Sequence, residues 1–223
     1  MVVAKKRLFV DMDGTLAEWR SEAGPEELYE KGYFESLRPY SAILGAVKSI
    51  WFVAQKEAIG VELFILSAYL PDSLWAKAEK QEWLDTHLPK MFDAERTLFV
   101  PCGSSKLDYV PGGVHTGDYL LDDYTPNLRE WERAGGTPIK VFNGCNGKRN
   151  TSWKDSVRTS ADWKKNYQTV PFPVSWTVKM KKKQKETQDI LSYHTQAAGC
   201  SDKARAKASG GRQPIEECGR TGL

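Results

Sequence analysis

The chain has 223 residues, of which 40% are hydrophobic and 27% are charged. This length allows one sizeable core with a small additional module. Because no run of about 18 apolar residues occurs, the sequence predicts no membrane-spanning helix. The N-terminal residues lack the apolar core of a signal peptide, and we therefore expect a cytoplasmic protein.

Basic residues are concentrated at the C-terminal end. The formal net charge is +3, but residues 174–223 contain 10 Lys or Arg against 5 Asp or Glu, a net of +5. Residues 1–173 contain 22 basic and 24 acidic residues, a net of −2. A long nucleic acid is therefore not expected as the principal partner of the larger part. The Lys-rich end is expected to be solvated, with weak contact to RNA or another polyanion as the alternative.

The cysteines predict neither a disulfide scaffold nor a zinc site. The residues in question are Cys102, Cys145, Cys200 and Cys218, with His87, His115 and His194. A zinc site normally requires closely spaced cysteine or histidine ligands, and these residues are scattered. Free thiols are therefore expected.

The first predicted strand brings two acidic residues to its end. The apolar run Leu8–Val10 is followed by Asp11, Asp13 and Gly14. Side chains alternate along an extended segment, but a turn at Gly14 allows the two carboxylates to converge on one site of phosphate size. The alternative is an ordinary turn, because Asp and Gly are common turn residues.

The next segment contains a short polar stretch and one long predicted helix. Residues 18–38 are polar, with a break at Gly24-Pro25 where a short helix is expected to begin. Ser41 is a typical N-cap for a helix that ends near Glu57. Its core-facing stripe is predicted to consist of Ile43, Val47, Ile50, Trp51 and Ala54. Because this helix is an ordinary crossover between parallel strands, residues 18–38 are predicted to form only a minimal cap.

Three further predicted strands are each followed by polar residues. Val61–Leu66 ends at Ser67, Thr97–Val100 precedes Lys106, and Tyr119–Leu121 ends at Asp122 and Asp123. These positions repeat the arrangement seen at Asp11 and Asp13. An isolated turn therefore becomes a weaker explanation for the acidic pair.

A helix is predicted after the second strand. It begins at Pro71-Asp72 and continues to about His87, with Pro89 marking its end. Its apolar side is predicted to consist of Leu74, Trp75, Ala78, Trp83 and Leu84.

Another helix is predicted from Thr125-Pro126, with Thr125 as its cap and Gly135 at its end. Ile139–Phe142 is the fifth predicted strand. The alternation of strands and helices predicts a three-layer α/β/α sandwich with a mostly parallel, Rossmann-like sheet and right-handed crossovers. Ligands of such sheets bind at the carboxyl ends of the strands, so the polar residues that follow the strands are expected to share one site.

Regular structure is expected to weaken after the fifth strand. The next residues are polar and turn-forming, with Trp153 and Trp163 as candidate anchors to the core. We predict a catalytic domain over residues 1–173 and a basic tail over residues 174–223. The tail is expected to be largely disordered, with a short helix near residues 185–193.

The polar segments resemble the motifs of the haloacid dehalogenase-like (HAD) superfamily of phosphohydrolases. These motifs are Asp-x-Asp-x-Thr, a Ser or Thr, a Lys and an acidic pair, in this order. The matching residues are Asp11, Asp13, Thr15, Ser67, Lys106, Asp122 and Asp123. The segments Asp-Met-Asp-Gly-Thr-Leu-Ala-Glu-Trp, Ile-Leu-Ser-Ala-Tyr-Leu and Leu-Leu-Asp-Asp-Tyr-Thr are similar to the 5'-nucleotidase and 5'(3')-deoxyribonucleotidase branch.

The resemblance implies a catalytic role for four residues. Asp11 would be the nucleophile that forms an aspartyl-phosphate, and Asp13 the general acid and base. Ser67 would bind the phosphoryl oxygens, and Lys106 would neutralise the charge that develops on them.

The resemblance also implies Mg²⁺ as the cofactor. Its expected ligands are the Asp11 carboxylate, the Asp13 backbone carbonyl, Asp122 directly and Asp123 through water. The residues expected to bind the substrate flank the motifs: Met12, Gly14, Thr15, Trp19, Phe34, Arg38, Ala68 and Tyr69. Trp19 is a candidate for stacking on a base, with packing under the cap as an equal alternative.

The leading functional hypothesis is Mg²⁺-dependent hydrolysis of nucleoside 5'-monophosphates, with deoxyribonucleotides as candidate substrates. One alternative is a phosphatase for another small phosphoester or for a nucleic-acid 3' phosphate end. Another is a non-enzymatic binding module that uses the Lys-rich tail. The sequence leaves the base, the sugar and the oligomeric state open, a dimer included.

Overall fold

The computed structural model describes residues 6–57, 60–146, 153 and 155–159. Its strands are β1 Lys6–Val10, β2 Val61–Tyr69, β3 Thr97–Pro101, β4 Asp118–Asp122, β5 Thr137–Phe142 and β6 Ser156–Arg158. Over the described residues every pairing of neighbouring strands is parallel, and the order across the sheet is β3-β2-β1-β4-β5-β6. The predicted basic tail, its short helix and Trp163 lie outside these residues.

Helices connect the strands in the order that the sequence predicts. The α-helices of the described segments are α1 Ser41–Glu57, α2 Ala76–His87 and α3 Thr125–Arg133. Two 3-10 helices span Glu26–Tyr29 and Lys106–Tyr109. The predicted helix is present as α1, Ser41–Glu57, although Ser41 is its first residue and not the cap that precedes it.

Different helices cover the two faces of the sheet. On one face, side chains of α1 and of the sheet line one small cavity: Ile43, Ala46, Val47 and Ile50 with Leu8, Leu121, Ile139 and Val157. On the other face, Leu128 and Trp131 of α3 belong to the same buried cluster as Phe9 and Leu120. Neighbouring residues of one strand therefore point to opposite helical layers. The predicted three-layer α/β/α sandwich is confirmed.

The start of α2 differs from the prediction. The helix begins at Ala76, not at Pro71, because the Ser73 hydroxyl accepts hydrogen bonds from the backbone N–H groups of Trp75 and Ala76. Leu74 is consequently 85% exposed and does not contribute to the apolar side. Trp75 and Ala78 are also exposed, whereas the predicted core residues Trp83 and Leu84 are buried.

The predicted cap of α3 is wrong. Thr125 is the first helical residue, and its hydroxyl accepts a hydrogen bond from Lys140 Nζ at 3.2 Å. The N–H of the preceding Tyr124 donates instead to Asp122 Oδ1 at 2.6 Å. Gly135 lies beyond the end of the helix with φ +94°, a conformation that suits glycine.

The short strand β6 was not predicted. It has three residues and pairs with β5 through the register Val141 to Val157. A single buried valine between two polar residues is a weak signal for a strand. The position of β6 therefore depends on its pairing with the edge of β5. Trp153, which precedes it, packs against the buried cluster beneath α3, in agreement with its expected role as an anchor.

Residues 18–38 form a loop that carries the 3-10 helix Glu26–Tyr29, close to the break expected at Pro25. The buried side chains of this segment include Tyr33, Phe34 and Leu37. Trp83 Nε1 of α2 donates a hydrogen bond to the Leu37 carbonyl at 2.7 Å. The C-terminal half of the segment is therefore held against α2.

Two other expectations concern thiols and membranes. Cys102 and Cys145 are free thiols, as predicted, and the other two cysteines lie outside the described residues. Among the described helices, none is long and apolar enough to cross a membrane.

Candidate active site

The carboxyl ends of β1 and β4 bring three acidic side chains together. The two strands are adjacent and parallel, and the Asp11 N–H donates to the Leu121 carbonyl at 2.9 Å. Asp11, Asp122 and Asp123 each offer a carboxylate oxygen, and these oxygens lie within 4.8 Å of one another. All three residues are buried. The expected clustering of polar residues at this edge is thus present for these three.

A tight turn carries the chain away from Asp11. The Gly14 N–H donates to the Ala17 carbonyl at 2.8 Å, and the Ala17 N–H donates to the Met12 carbonyl at 2.9 Å. Met12 and Thr15 are fully buried. Both residues were expected to bind substrate, but their side chains lie inside the turn, and the Thr15 N–H donates to the Met12 carbonyl at 3.1 Å.

Gly14 is required by both conformation and space. Its φ is +73°, and a Cβ atom there would lie 2.7 Å from Asp123 Cγ and 2.9 Å from Asn143 Nδ2. The close approach of the turn to Asp123 thus depends on the missing side chain.

Substitution Gly14→Ala is expected to lower the free energy of unfolding by about 2–4 kcal/mol. The positive φ strains an alanine backbone, and the added Cβ atom clashes with Asp123 and Asn143. Gly113→Ala is the matched control, since Gly113 has φ +79° and open space around its Cα. Urea unfolding should show the larger loss for Gly14→Ala. Equal losses in the two variants would show that Asp123 and Asn143 do not restrict this position.

Lys106 connects two of the carboxylates. Its Nζ lies 2.8 Å from Asp11 Oδ1 and 2.7 Å from Asp122 Oδ2. Burial opposes the charged form of Lys106, but the two carboxylates outweigh this effect and raise its pKa above the ordinary value. A buried ammonium whose charged form is favoured therefore lies beside the Asp11 carboxylate.

Amide side chains that the sequence analysis missed orient the acidic pair. Asn127 Nδ2 donates to Asp122 Oδ2 at 2.9 Å. Asn143 Nδ2 donates to Asp123 Oδ2 at 2.7 Å and also to the Gly14 carbonyl at 2.7 Å. Asn146 Nδ2 donates to Asp123 Oδ2 at 2.5 Å. These bonds orient both carboxylates, and Asn143 links Asp123 to the turn after Asp11.

Burial and mutual repulsion raise the pKa of two of the three carboxylates. Burial raises the pKa of Asp11 to about 7, against the opposing effect of Lys106, and the charges of Asp122 and Asp123 add to the increase. Burial likewise raises the pKa of Asp123 to about 6, with a further contribution from Asp122. The cluster thus contains more negative charge than Lys106 compensates, and a bound cation would favour its fully ionised form.

Asp13 and Ser67 meet at a lysine that the sequence analysis also missed. Lys80 Nζ forms an ion pair with Asp13 Oδ2 and lies 3.5 Å from Ser67 Oγ. Ser67 is buried at the end region of β2, and Lys80 is fully buried on α2. Lys80, which no motif indicated, therefore brings together Asp13 and Ser67, two of the predicted site residues.

The other predicted substrate residues have different surroundings. Phe34 is buried, with its ring centre 4.8 Å from Lys80 Nζ, and the Ala68 carbonyl accepts a hydrogen bond from Lys80 at 2.6 Å. Arg38 is exposed and pairs with Glu18 at 3.3 Å. Its described partner thus lies outside the carboxylate cluster.

Trp19 and Tyr69 are the two half-buried aromatic candidates. The Trp19 carbonyl accepts a weak hydrogen bond from Cys145 Sγ at 4.0 Å. The Tyr69 ring has Lys77 Nζ 5.4 Å from its centre and an edge contact with Phe99. Both rings keep part of their surface accessible, which a stacking role requires.

Comparisons with known proteins give a general likeness of fold. No protein-family model matches the chain, and the comparison with curated proteins found no match. The chain is similar to the crystal structure of D,D-heptose 1,7-bisphosphate phosphatase from B. bronchiseptica complexed with magnesium and phosphate. That similarity covers 68% of this chain and 92% of the other, at 13% identity and a TM-score of 0.48. The enzyme of the same name from Burkholderia thailandensis matches 71% of this chain and 94% of its own, at 15% identity and a TM-score of 0.44.

Proposed function

We propose that this chain is a Mg²⁺-dependent phosphomonoesterase of the HAD type that acts through an aspartyl-phosphate. One observation carries the proposal: the buried carboxylates of Asp11, Asp122 and Asp123 converge within 4.8 Å, and Lys106 contacts two of them. A purely structural role would not favour this arrangement, because burying several carboxylates together is costly. An aspartyl-phosphate mechanism uses a carboxylate nucleophile beside fixed positive charge.

The donor set fits a hard divalent cation. Carboxylate oxygens are the ligands that Mg²⁺ prefers, and a bound cation would counter the burial and the mutual repulsion that raise the pKa of Asp11 and Asp123. Asp11, Asp122 and Asp123 would hold the ion together with the Asp13 backbone carbonyl. The ion would neutralise charge on the phosphoryl oxygens.

The residues of the chain divide the remaining work. Asp11 attacks phosphorus and forms the covalent intermediate, while Asp13 protonates the departing oxygen and later removes a proton from water. Lys106 restrains the Asp11 carboxylate and stabilises the charge that builds up on the phosphoryl group. Ser67, at the end of the neighbouring strand, donates its hydroxyl hydrogen to a phosphoryl oxygen.

Nucleoside 5'-monophosphates are the proposed substrates. The support comes from the sequence resemblance and from the half-buried rings of Trp19 and Tyr69. The net charge of −2 over residues 1–173 favours a small phosphoester over a polynucleotide.

A panel of phosphoesters tests the substrate class. With Mg²⁺ present, kcat/KM should be higher for a nucleoside 5'-monophosphate than for ribose 5-phosphate, which has the same phosphoester but no base. Trp19→Leu should raise KM for the nucleotide about tenfold, in line with the free energy of base stacking, and leave ribose 5-phosphate unaffected.

Two results would contradict this choice of substrate. One is a preference for a sugar phosphate or an oligonucleotide 3' phosphate over every mononucleotide. The other is an equal effect of Trp19→Leu on substrates with and without a base, which would assign Trp19 to packing.

A further inference from the structure

Helix α2 buries a lysine on its apolar side. Ala76, Lys80, Trp83 and Leu84 are spaced so that they share one face of the helix, and all four are buried. Lys80 has 0% relative exposure. A buried ammonium is costly unless its hydrogen bonds are satisfied, so its partners indicate what it does.

The described contacts of Lys80 lie at the candidate active site. Its Nζ donates to the Ala68 carbonyl at 2.6 Å, contacts Asp13 Oδ2 and lies 3.5 Å from Ser67 Oγ. The centre of the Phe34 ring also lies 4.8 Å from the Lys80 Nζ. Lys80 thus joins the end of β2 to the acid that follows β1.

The two carboxylate oxygens of Asp13 are not equivalent. Oδ2 contacts Lys80, whereas Oδ1 is buried and has no hydrogen-bond partner among the described residues. A buried polar atom without a partner is uncommon and requires an explanation. Because Oδ2 accepts from an ammonium, a proton on this carboxyl group is confined to Oδ1.

The preceding residue of α2, Glu79, binds the segment that contains Phe34. Its carboxylate is buried and accepts hydrogen bonds from the backbone N–H groups of Gly32 at 2.5 Å and Phe34 at 3.1 Å. These bonds attach residues 32–34 to α2 and hold the Phe34 ring against Lys80. Two adjacent charged residues of one helix therefore connect the loop before α1 to Asp13.

We propose that Lys80 is a positioning residue that holds Asp13 so that Oδ1 faces the leaving-group oxygen. The inference rests on the proposed phosphatase function. As the bond from Asp11 to phosphorus forms and the bond to the leaving oxygen breaks, the Oδ1 proton passes to that oxygen. In the second half, Oδ1 takes a proton from water while the water oxygen attacks phosphorus and releases Asp11.

A comparison of leaving groups tests this role. A nitrophenolate departs without a proton, whereas the alkoxide of glycerol 3-phosphate requires one. In a single turnover, Lys80→Met should slow release of the alkoxide by about two orders of magnitude, the usual contribution of a general acid, and release of nitrophenolate by less than about threefold. Hydrolysis of the aspartyl-phosphate is common to both esters and should slow equally for both. The substrate concentration that gives half the maximal release rate should change little for either ester, because Lys80 acts through Asp13. Lys48→Met, at an exposed position of α1, is the matched control and should affect neither ester.

A second variant separates positioning from general damage. Asp13→Asn should show the same preference for the nitrophenyl ester, and the double variant should lose no more than Asp13→Asn alone, because the two residues act as one unit. Retained release of nitrophenolate in the first turnover also shows that Lys80→Met folds.

Equal slowing of leaving-group release from both esters, or additive losses in the double variant, would overturn the positioning role while leaving the phosphatase function intact. A wild-type protein that hydrolyses neither ester would refute the proposed function itself, and the inference with it.

Discussion

Substitution Asp11→Asn is expected to abolish phosphomonoesterase activity, with kcat reduced by about three orders of magnitude or more. The amide has nearly the shape of the carboxylate but is a far weaker nucleophile, so the aspartyl-phosphate does not form. The Lys106 ammonium, which lies 2.8 Å from Asp11 Oδ1, would also lose an ionic partner. Steady-state hydrolysis of nitrophenyl phosphate with Mg²⁺ measures the effect.

The control for this substitution is Asp85→Asn, at an exposed position of α2. It should leave kcat unchanged, and circular dichroism should show that both variants fold. Equal rates for Asp11→Asn and the wild type would remove Asp11 from the mechanism. A wild type without activity towards any phosphoester would favour the alternative of a non-enzymatic binding module.

Removal of divalent cations is expected to abolish activity and to make the fold sensitive to pH. Without a cation, burial raises the pKa of Asp11 to about 7 and that of Asp123 to about 6, from the ordinary value of 3.8 for an aspartate. The folded chain then binds more protons than the unfolded chain between about pH 4 and pH 7. The free energy of unfolding contributed by these groups is therefore largest below pH 4 and is lost as the pH rises through 7.

Thermal unfolding in a chelator, compared between the wild type and Asp11→Asn, isolates this contribution. The wild type should lose stability relative to the variant as the pH rises from 4 to 8, since the variant lacks one titrating carboxyl group. Addition of Mg²⁺ at pH 8 should restore stability to the wild type by about 3 kcal/mol when the ion exceeds its Kd a hundredfold. Full activity in the chelator, or a wild type that gains stability relative to the variant over this range, would contradict the assignment of the carboxylate cluster.

Much of the fold follows from local sequence signals. The apolar runs before Asp11, Ser67 and Asp122 are recognisable as buried parallel strands, and the helix Ser41–Glu57 has apolar residues at helical spacing. The acids of β1 and β4 meet because the carboxyl ends of parallel strands share one edge. Asn143 directly follows the fifth strand, so the same rule predicts that it lies at this edge of the sheet.

The remaining features depend on contacts between distant segments. Lys80 resembles a surface lysine in the sequence, and only its position between Ala76 and Trp83 on the apolar side of α2 indicates burial. Helix α2 begins later than predicted because the Ser73 hydroxyl accepts from the N–H groups of Trp75 and Ala76. A helix that began at Pro71 would use these groups for its own backbone hydrogen bonds. The prediction of Thr125 as a helix cap is wrong because its hydroxyl accepts a hydrogen bond from Lys140, which is remote in the sequence.

The covalent intermediate on Asp11 is the central claim, and direct detection tests it most sharply. A single turnover with excess protein, Mg²⁺ and a nucleoside 5'-monophosphate would be stopped with acid and the digest examined by mass spectrometry. The peptide that contains Asp11 should carry one added phosphoryl group at early times, lose it as phosphate appears, and remain unmodified in Asp11→Asn. Release of phosphate at the wild-type rate without any phosphoryl group on that peptide, or with the group on another residue, would contradict the account.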